Sequence, residues 1–195
     1  MRQPTPGRRE DILQAARQVF AREGHAGTRI QEVADACGIA KGTVYLYYRS
    51  KEELYWATVC HGFEELHRRS REALLAADGT EGKLRAFILT RLRFFDEERD
   101  FFRIYFSELG RSFVRFVPDA QLQELYQAQV EVLRTILDEG ISRGEMRPVN
   151  AESTAYLILD LVRSRVAQRL HQGIRTRPED ELEDLFSFLW QGVGQ

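Results

Sequence analysis

Between Cys37 and Leu54 the chain reads CGIAKGTVYLYYRSKEEL, with three tyrosines inside four residues and a lysine on either side of them. The side chains of Lys41, Thr43, Tyr45, Tyr47 and Lys51 can donate hydrogen bonds to phosphate oxygens or base edges, and Leu46 can meet a thymine methyl. Gly42 carries no side chain, so the backbone there can come close to a polyanion. This is the chemistry of nucleic-acid recognition, not of bond cleavage. No catalytic residue is expected: Ser107 and Ser112 lack a His–Asp context, no carboxylate pair sits in an apolar setting, and no Gly-rich loop leads from a strand into a helix. His61 and His67 are six residues apart and cannot share a helix face as i, i+4 ligands would, so neither a metal nor another cofactor is expected.

For those side chains to present one surface, short helices must hold them. Ile12, Leu13, Ala16, Val19 and Phe20 form a helical stripe, with Pro6 placed for a first turn and Gly24 for a stop. Ile30, Val33, Ala34 and Cys37 repeat at helical spacing behind Thr28, which reads as an N-cap, and Gly38 closes that helix. A third helix covers about Lys41 to Tyr48. Val44 and Tyr48, four apart, turn inward against Val33 and Ile39, which leaves Lys41, Gly42, Thr43, Tyr45, Leu46 and Tyr47 outward. Ser50-Lys-Glu-Glu53 reads as a capping box opening a long helix to about Ala77. Further helices follow near 81–97, 100–111, 119–143, 150–172 and 178–191, and no alternating strand pattern appears. The expected fold is all-α with about nine helices. A three-helix head occupies residues 1–50, its helix-turn-helix about 31–50, and a larger helical body covers 51–195.

Charge is divided the same way. From Met1 to Lys51 there are nine Lys/Arg against five Asp/Glu, and after Lys51 nineteen against twenty-five. A basic head on an acidic body suits a protein that meets a polyanion with one end. No apolar run reaches the ~18 residues of a membrane span and the N-terminus has no signal-peptide core, so a cytoplasmic protein with no membrane partner is expected. Two cysteines without CxxC spacing give no disulfide framework.

The run GTRIQEVADACGIAKGTVYLYYRSKEEL, preceded by ILQAARQVFAREG, resembles the DNA-binding signature of the TetR family of bacterial regulators. The likeness covers about Arg8 to Leu54. It implies a homodimer whose two heads bind a pseudo-palindromic double-stranded operator, usually as a repressor released by a small ligand. Carried over by position, Thr28 sits where the family contacts a phosphate, and Lys41, Thr43, Tyr45, Tyr47 and Lys51 take the usual DNA-contact positions. Leu46 and Tyr47 depart from the His-Tyr or Tyr-His common there, so base preference does not transfer. Arg8 and Arg9 extend the basic surface as an arm.

In the body, residues 87–116 are dense in aromatics, which read either as a core stripe or as the wall of an apolar pocket. The resemblance puts an effector among helices four to eight. Candidate wall residues are Phe63, Phe95, Phe102, Tyr105 and Phe106, with Tyr126 and Tyr156 from later helices. Asp160, inside LILDLV, and Arg163, one turn later, read as an ion pair, or Arg163 as the contact for an acidic headgroup. Leu159, Val162 and Val166 on helix eight, with Leu182, Leu185, Phe186 and Leu189 on helix nine, form stripes suited to a two-fold four-helix interface. The expected function is a ligand-responsive, sequence-specific DNA-binding transcriptional regulator with a small apolar or amphipathic effector. The alternatives are a helical adaptor that keeps the head without reading sequence, and a small helical enzyme, for which no acid, base or metal set is present.

Overall fold

The computed structural model describes residues 6–112, 120–172 and 176–193. Among these there are nine α-helices and no strand: α1 (Pro6–Gly27), α2 (Ile30–Ala36), α3 (Lys41–Tyr47), α4 (Lys51–Leu75), α5 (Gly79–Glu97), α6 (Arg99–Ser112), α7 (Ala120–Ser142), α8 (Ala151–Gln172) and α9 (Pro178–Val193). The chain divides into two compact units, one of residues 1–64 and 98–122, the other of 65–97 and 123–195. The expected boundary falls at residue 50, whereas packing groups α6 and the first half of α4 with α1–α3. Phe113 and Phe116 of the aromatic stretch lie outside the described residues.

In the first unit Ile12, Ala16, Val19 and Phe20 are buried along α1, with Val33, Ala34 and Val44 beneath α2 and α3. Glycine sets the joints. Gly24 takes φ 69°, ψ 169° inside the α1 run and breaks it. Gly38, at φ 64°, turns the chain after α2. There the amide of Gly38 donates to Asp35 O at 3.1 Å and that of Ile39 to Ala34 O at 3.0 Å, the paired bonds of a Schellman stop. Ser50 caps α4, its hydroxyl accepting from the Glu53 amide at 3.1 Å, while the Glu53 carboxylate accepts from the Arg49 amide at 2.6 Å. Arg17 on α1 pairs with Glu98 beside α6 at 2.7 Å, and the Tyr55 hydroxyl donates to Ile104 O at 3.1 Å. A methyl group at Gly62 would collide with the Phe101 ring, so only glycine lets α4 and α6 approach this closely.

In the second unit α5 packs against α8 and α9. Leu84, Phe87, Ile88 and Leu92 of α5 are buried, as are Ala155, Ile158 and Val162 of α8 and Leu182 and Phe186 of α9. An ion network lies within this packing. Buried Arg169 holds buried Glu181 at 2.6 Å and Asp96 at 3.1 Å, and Glu181 also accepts from the Thr176 hydroxyl. It ties the start of α9 to α8 and to the end of α5. The Arg85 guanidinium lies 3.9 Å over the Phe186 ring, a cation–π contact on the same helix pair.

Candidate functional sites

On α3, Val44 and Tyr48 are buried and anchor the helix, and the remaining residues turn out. Lys41, Gly42, Tyr45 and Leu46 are exposed, Leu46 by 53%, while Thr43 and Tyr47 are half-buried. An exposed leucine flanked by tyrosines costs hydration in a monomer facing water, and a groove lined with base edges and methyls would offset that cost. The Lys41 ammonium sits 5.9 Å from the Tyr45 ring centroid, so the two side chains, one turn apart, present a charge and a hydroxyl together. Gly42 has open space around it: a methyl there would meet nothing within 4 Å. No packing inside the chain requires glycine at that position.

Two expected contacts sit differently. Thr28 does not cap α2. After the Gly24 turn, both its amide (3.1 Å) and its hydroxyl (2.7 Å) donate back to Gly24 O, and its side chain is buried. The cap of α2 is Arg29, whose amide donates to the Glu32 carboxylate at 2.9 Å. Thr28 therefore closes α1 and presents neither donor outward. Lys51 donates to Ala26 O at 3.3 Å and Thr28 O at 3.2 Å, strapping the α1–α2 connection to the start of α4. The sequence offered no signal for this, because the acceptors are main-chain carbonyls some 25 residues away. Tyr48, inward as expected, has its phenol pushed above the ordinary value by burial, with the nearby Arg9 charge opposing.

The expected effector residues fall into separate places. Phe63, Phe102, Tyr105 and Phe106 belong to the first unit. There Phe63 meets Phe101 and Tyr105 edge-on with centroids 5.3 and 5.0 Å apart, and Phe102 stacks on Phe106 at 4.2 Å. Phe95, Tyr126, Tyr156 and Arg163 belong to the second unit. Phe95 meets Phe94 edge-on at 5.5 Å, and Tyr126 faces Tyr156 at 6.2 Å. Arg163 pairs with Asp160 at 2.9 Å, as its spacing suggested, on a carboxylate that is half exposed.

None of the eight lines a cavity of about 460 Å³ in the second unit, a size within the ~300–1,000 Å³ typical of small-molecule sites. That cavity lies among α4, α5 and α7. Leu74, Phe87, Val132 and Ile136 supply apolar walls, and His67, Ser70, Arg71, Arg91 and Gln129 gather polar groups in it. Arg91 is 3% exposed. Its guanidinium stacks 3.4 Å over the Phe87 ring and donates to Gln129 Oε1 at 2.7 Å, Ser70 Oγ at 3.3 Å and Phe87 O at 3.4 Å. The imidazole of His67 is held below its ordinary value of 6.5, first by burial and then by the charges of Arg71 and Arg91. Gln129 and Ser70 lie 38 and 21 residues from Arg91 along the chain, and only the fold brings them to it.

The expected dimer stripe is used inside the chain. Leu159, Val162, Val166, Leu182, Leu185, Phe186 and Leu189 are each at most 8% exposed without any partner. Among the described residues of α8 and α9, the large apolar side chains left outward are Leu157, 68% exposed, and Phe188, 72% exposed. Among the described residues no group of three or more His, Cys, Asp or Glu could hold a metal ion, and no helix is long and apolar enough to cross a membrane.

Two family descriptions match this chain, one over the head and one over most of the body. Residues 12–58 match the family described as bacterial regulatory proteins, tetR family, and residues 77–167 match the tetracyclin repressor-like C-terminal domain. The transcriptional activator FasR of Mycolicibacterium smegmatis is 25% identical over 195 residues, 98% of this chain and 85% of that protein. The transcriptional repressor KstR2 of Rhodococcus jostii is 28% identical over 142 residues, 72% of this chain and 69% of that protein. Among solved structures, the fatty acid degradation regulator FadR from Bacillus halodurans superposes with a TM-score of 0.83 at 18% identity, covering 96% of each chain. FadR from Bacillus subtilis in complex with stearoyl-CoA gives 0.78 at 19%, covering 92% of this chain and 96% of that one. At such identities the superpositions speak for the fold alone, while the two family matches take in the head and most of the body. The chain belongs to the TetR family of bacterial regulatory proteins and is a helix-turn-helix, DNA-binding transcriptional regulator.

Proposed function

We propose that the protein is a cytoplasmic homodimer that reads a pseudo-palindromic duplex operator with α3 of each copy, represses transcription, and is released by a small amphipathic molecule. The observation that carries this is the outward face of α3, where Lys41, Gly42, Tyr45 and Leu46 are exposed while Val44 and Tyr48 anchor the helix. On this reading Tyr45, Tyr47 and Thr43 reach base edges or phosphates, Leu46 meets thymine methyls, and Lys41 supplies counter-charge. Lys51 acts first by holding the head's joint together and only second through its charge, and Thr28 contributes through position alone. The repressor direction is supported by the KstR2 relative and opposed by the FasR one. An amphipathic effector is supported by the stearoyl-CoA bound to the Bacillus subtilis regulator and by the cavity among α4, α5 and α7. No catalytic role is proposed.

Self-association through α8 and α9 is proposed on a face rotated from the expected one. Leu157 and Phe188 are outward, and a second copy is the occupant that would cover both. The test of the whole reading is fluorescence anisotropy with duplexes enriched from a randomised pool. Tight, sequence-dependent binding that α3 substitutions abolish is expected. Equal binding to enriched and random duplexes would leave the adaptor reading in its place.

A further inference from the structure

We propose that the α4–α5–α7 cavity holds its ligand by a single carboxylate set against Arg91, with an apolar body lying along Leu74, Phe87, Val132 and Ile136. This rests on the effector part of the function above and specifies its chemistry.

Of the residues lining the cavity, Arg71, Lys83 and Arg91 are cationic and Glu139 alone is acidic. Glu139 is already engaged by Lys83 at 2.8 Å and Arg143 at 3.6 Å. The cavity therefore carries a positive excess; burial first, and then the charges of Arg71 and Arg91, hold the His67 imidazole below its ordinary value. A cationic ligand would meet the same charges.

Geometry gives the polarity its direction. Of the cavity's three cations Arg91 is the buried one, while Lys83 is paired with Glu139 and Arg71 is exposed, so the carboxylate head is placed at Arg91. Gln129 is turned to serve the guanidinium. Its amide nitrogen donates to Leu125 O at 3.2 Å, which leaves Oε1 to accept from Arg91 at 2.7 Å. The bonds from Arg91 to Ser70 and Phe87 are long, 3.3 and 3.4 Å. A carboxylate would offer shorter, charge-assisted bonds in place of these two, in the fork geometry that guanidinium favours. Ser70 Oγ, released from Arg91, would then be free to donate to the same carboxylate.

The experiment uses the full chain and three eight-carbon probes that share one apolar body: octanoate, octan-1-ol and octylammonium. Calorimetry is expected to give octanoate binding about tenfold tighter than octan-1-ol, with octylammonium weakest. Arg91→Gln is expected to narrow the octanoate-to-octanol ratio towards one. Because a buried arginine can matter to folding, a second readout uses the unaltered protein. Saturating octanoate is expected to raise the His67 titration midpoint in proton NMR, since the carboxylate offsets the Arg91 field, while octan-1-ol leaves it in place. Equal affinity for octanoate and octan-1-ol, or a His67 midpoint unmoved by octanoate, would overturn the proposal. So would octanoyl-CoA binding where octanoate does not, which would put the recognised anion elsewhere on the ligand. Failure of the regulator reading shows separately: it would appear as loss of duplex preference in the absence of any probe, whereas a duplex-binding protein indifferent to octanoate defeats this inference alone.

Discussion

Replacing Gly42 with alanine separates the demands of folding from those of DNA binding. Gly42 sits in the first turn of α3, is exposed, and a methyl there meets nothing within 4 Å. The head should therefore accept alanine and gain from its higher helix propensity, by about 0.5–1 kcal/mol at most. The bound state is another matter. If the start of α3 lies against phosphates or base edges, the added methyl pushes the backbone away and lengthens the bonds made by Lys41 and Thr43 beside it. Losing one or two charge-assisted hydrogen bonds costs roughly 2–4 kcal/mol, or about 30- to 1,000-fold in affinity. Thermal melting and anisotropy on the same preparation measure both terms. A variant that melts at or above wild type and binds DNA much more weakly is expected. Unchanged DNA affinity would mean that this face of α3 does not approach the duplex, and the assignment of the interface would be abandoned.

Tyr45→Ala should weaken binding to an enriched duplex by about 1–3 kcal/mol and to random duplex far less; equal losses on both would remove Tyr45 from sequence reading. Glu181→Ala leaves Arg169 charged and buried against Asp96 alone, so a loss of about 3–5 kcal/mol and a melting point lower by roughly 10 °C are expected in calorimetry, against a shift of a degree or two if the network is idle. Phe188→Asp should yield a folded monomer in sedimentation, whereas Phe186→Asp should unfold the second unit, because only the former side chain is free of the chain's own core; a Phe188→Asp dimer of wild-type stability would move the interface elsewhere. His67 is held below 6.5 in the fold, so protonation favours the unfolded chain. Its contribution to stability is intact above that value, declines as pH falls through it, and levels off below the depressed folded value; His67→Gln should flatten this part of the stability curve, and an unaltered curve would remove His67 as its source.

The sequence disclosed what depends on neighbours along the chain. The inward Val44 and Tyr48, the Gly38 stop and the Ser50 cap follow from local spacing and reappear in the fold, as do the limits of the body's helices to within about two residues. Distant partners were illegible. Thr28 looks like a cap for α2 because it precedes it, yet the turn at Gly24 folds its hydroxyl back onto α1. Lys51 reads as a DNA contact, and only the fold brings the α1–α2 carbonyls round to its ammonium. The same holds for the body. Periodicity identifies the apolar stripes of α8 and α9 without saying what they face, and within this chain they face one another and α5. Aromatic density drew attention to Phe102, Tyr105 and Phe106, while the cavity in the second unit is walled by aliphatic residues and a single phenylalanine, Phe87.

Hydroxyl-radical footprinting on a duplex enriched from a randomised pool tests the central claim most directly. A dimer reading DNA with two α3 helices should protect two inverted half-sites about one helical turn apart, near 34–36 Å, with protection lost when octanoate is added. A single protected half-site, continuous protection without symmetry, or no enrichment over the starting pool would contradict the account.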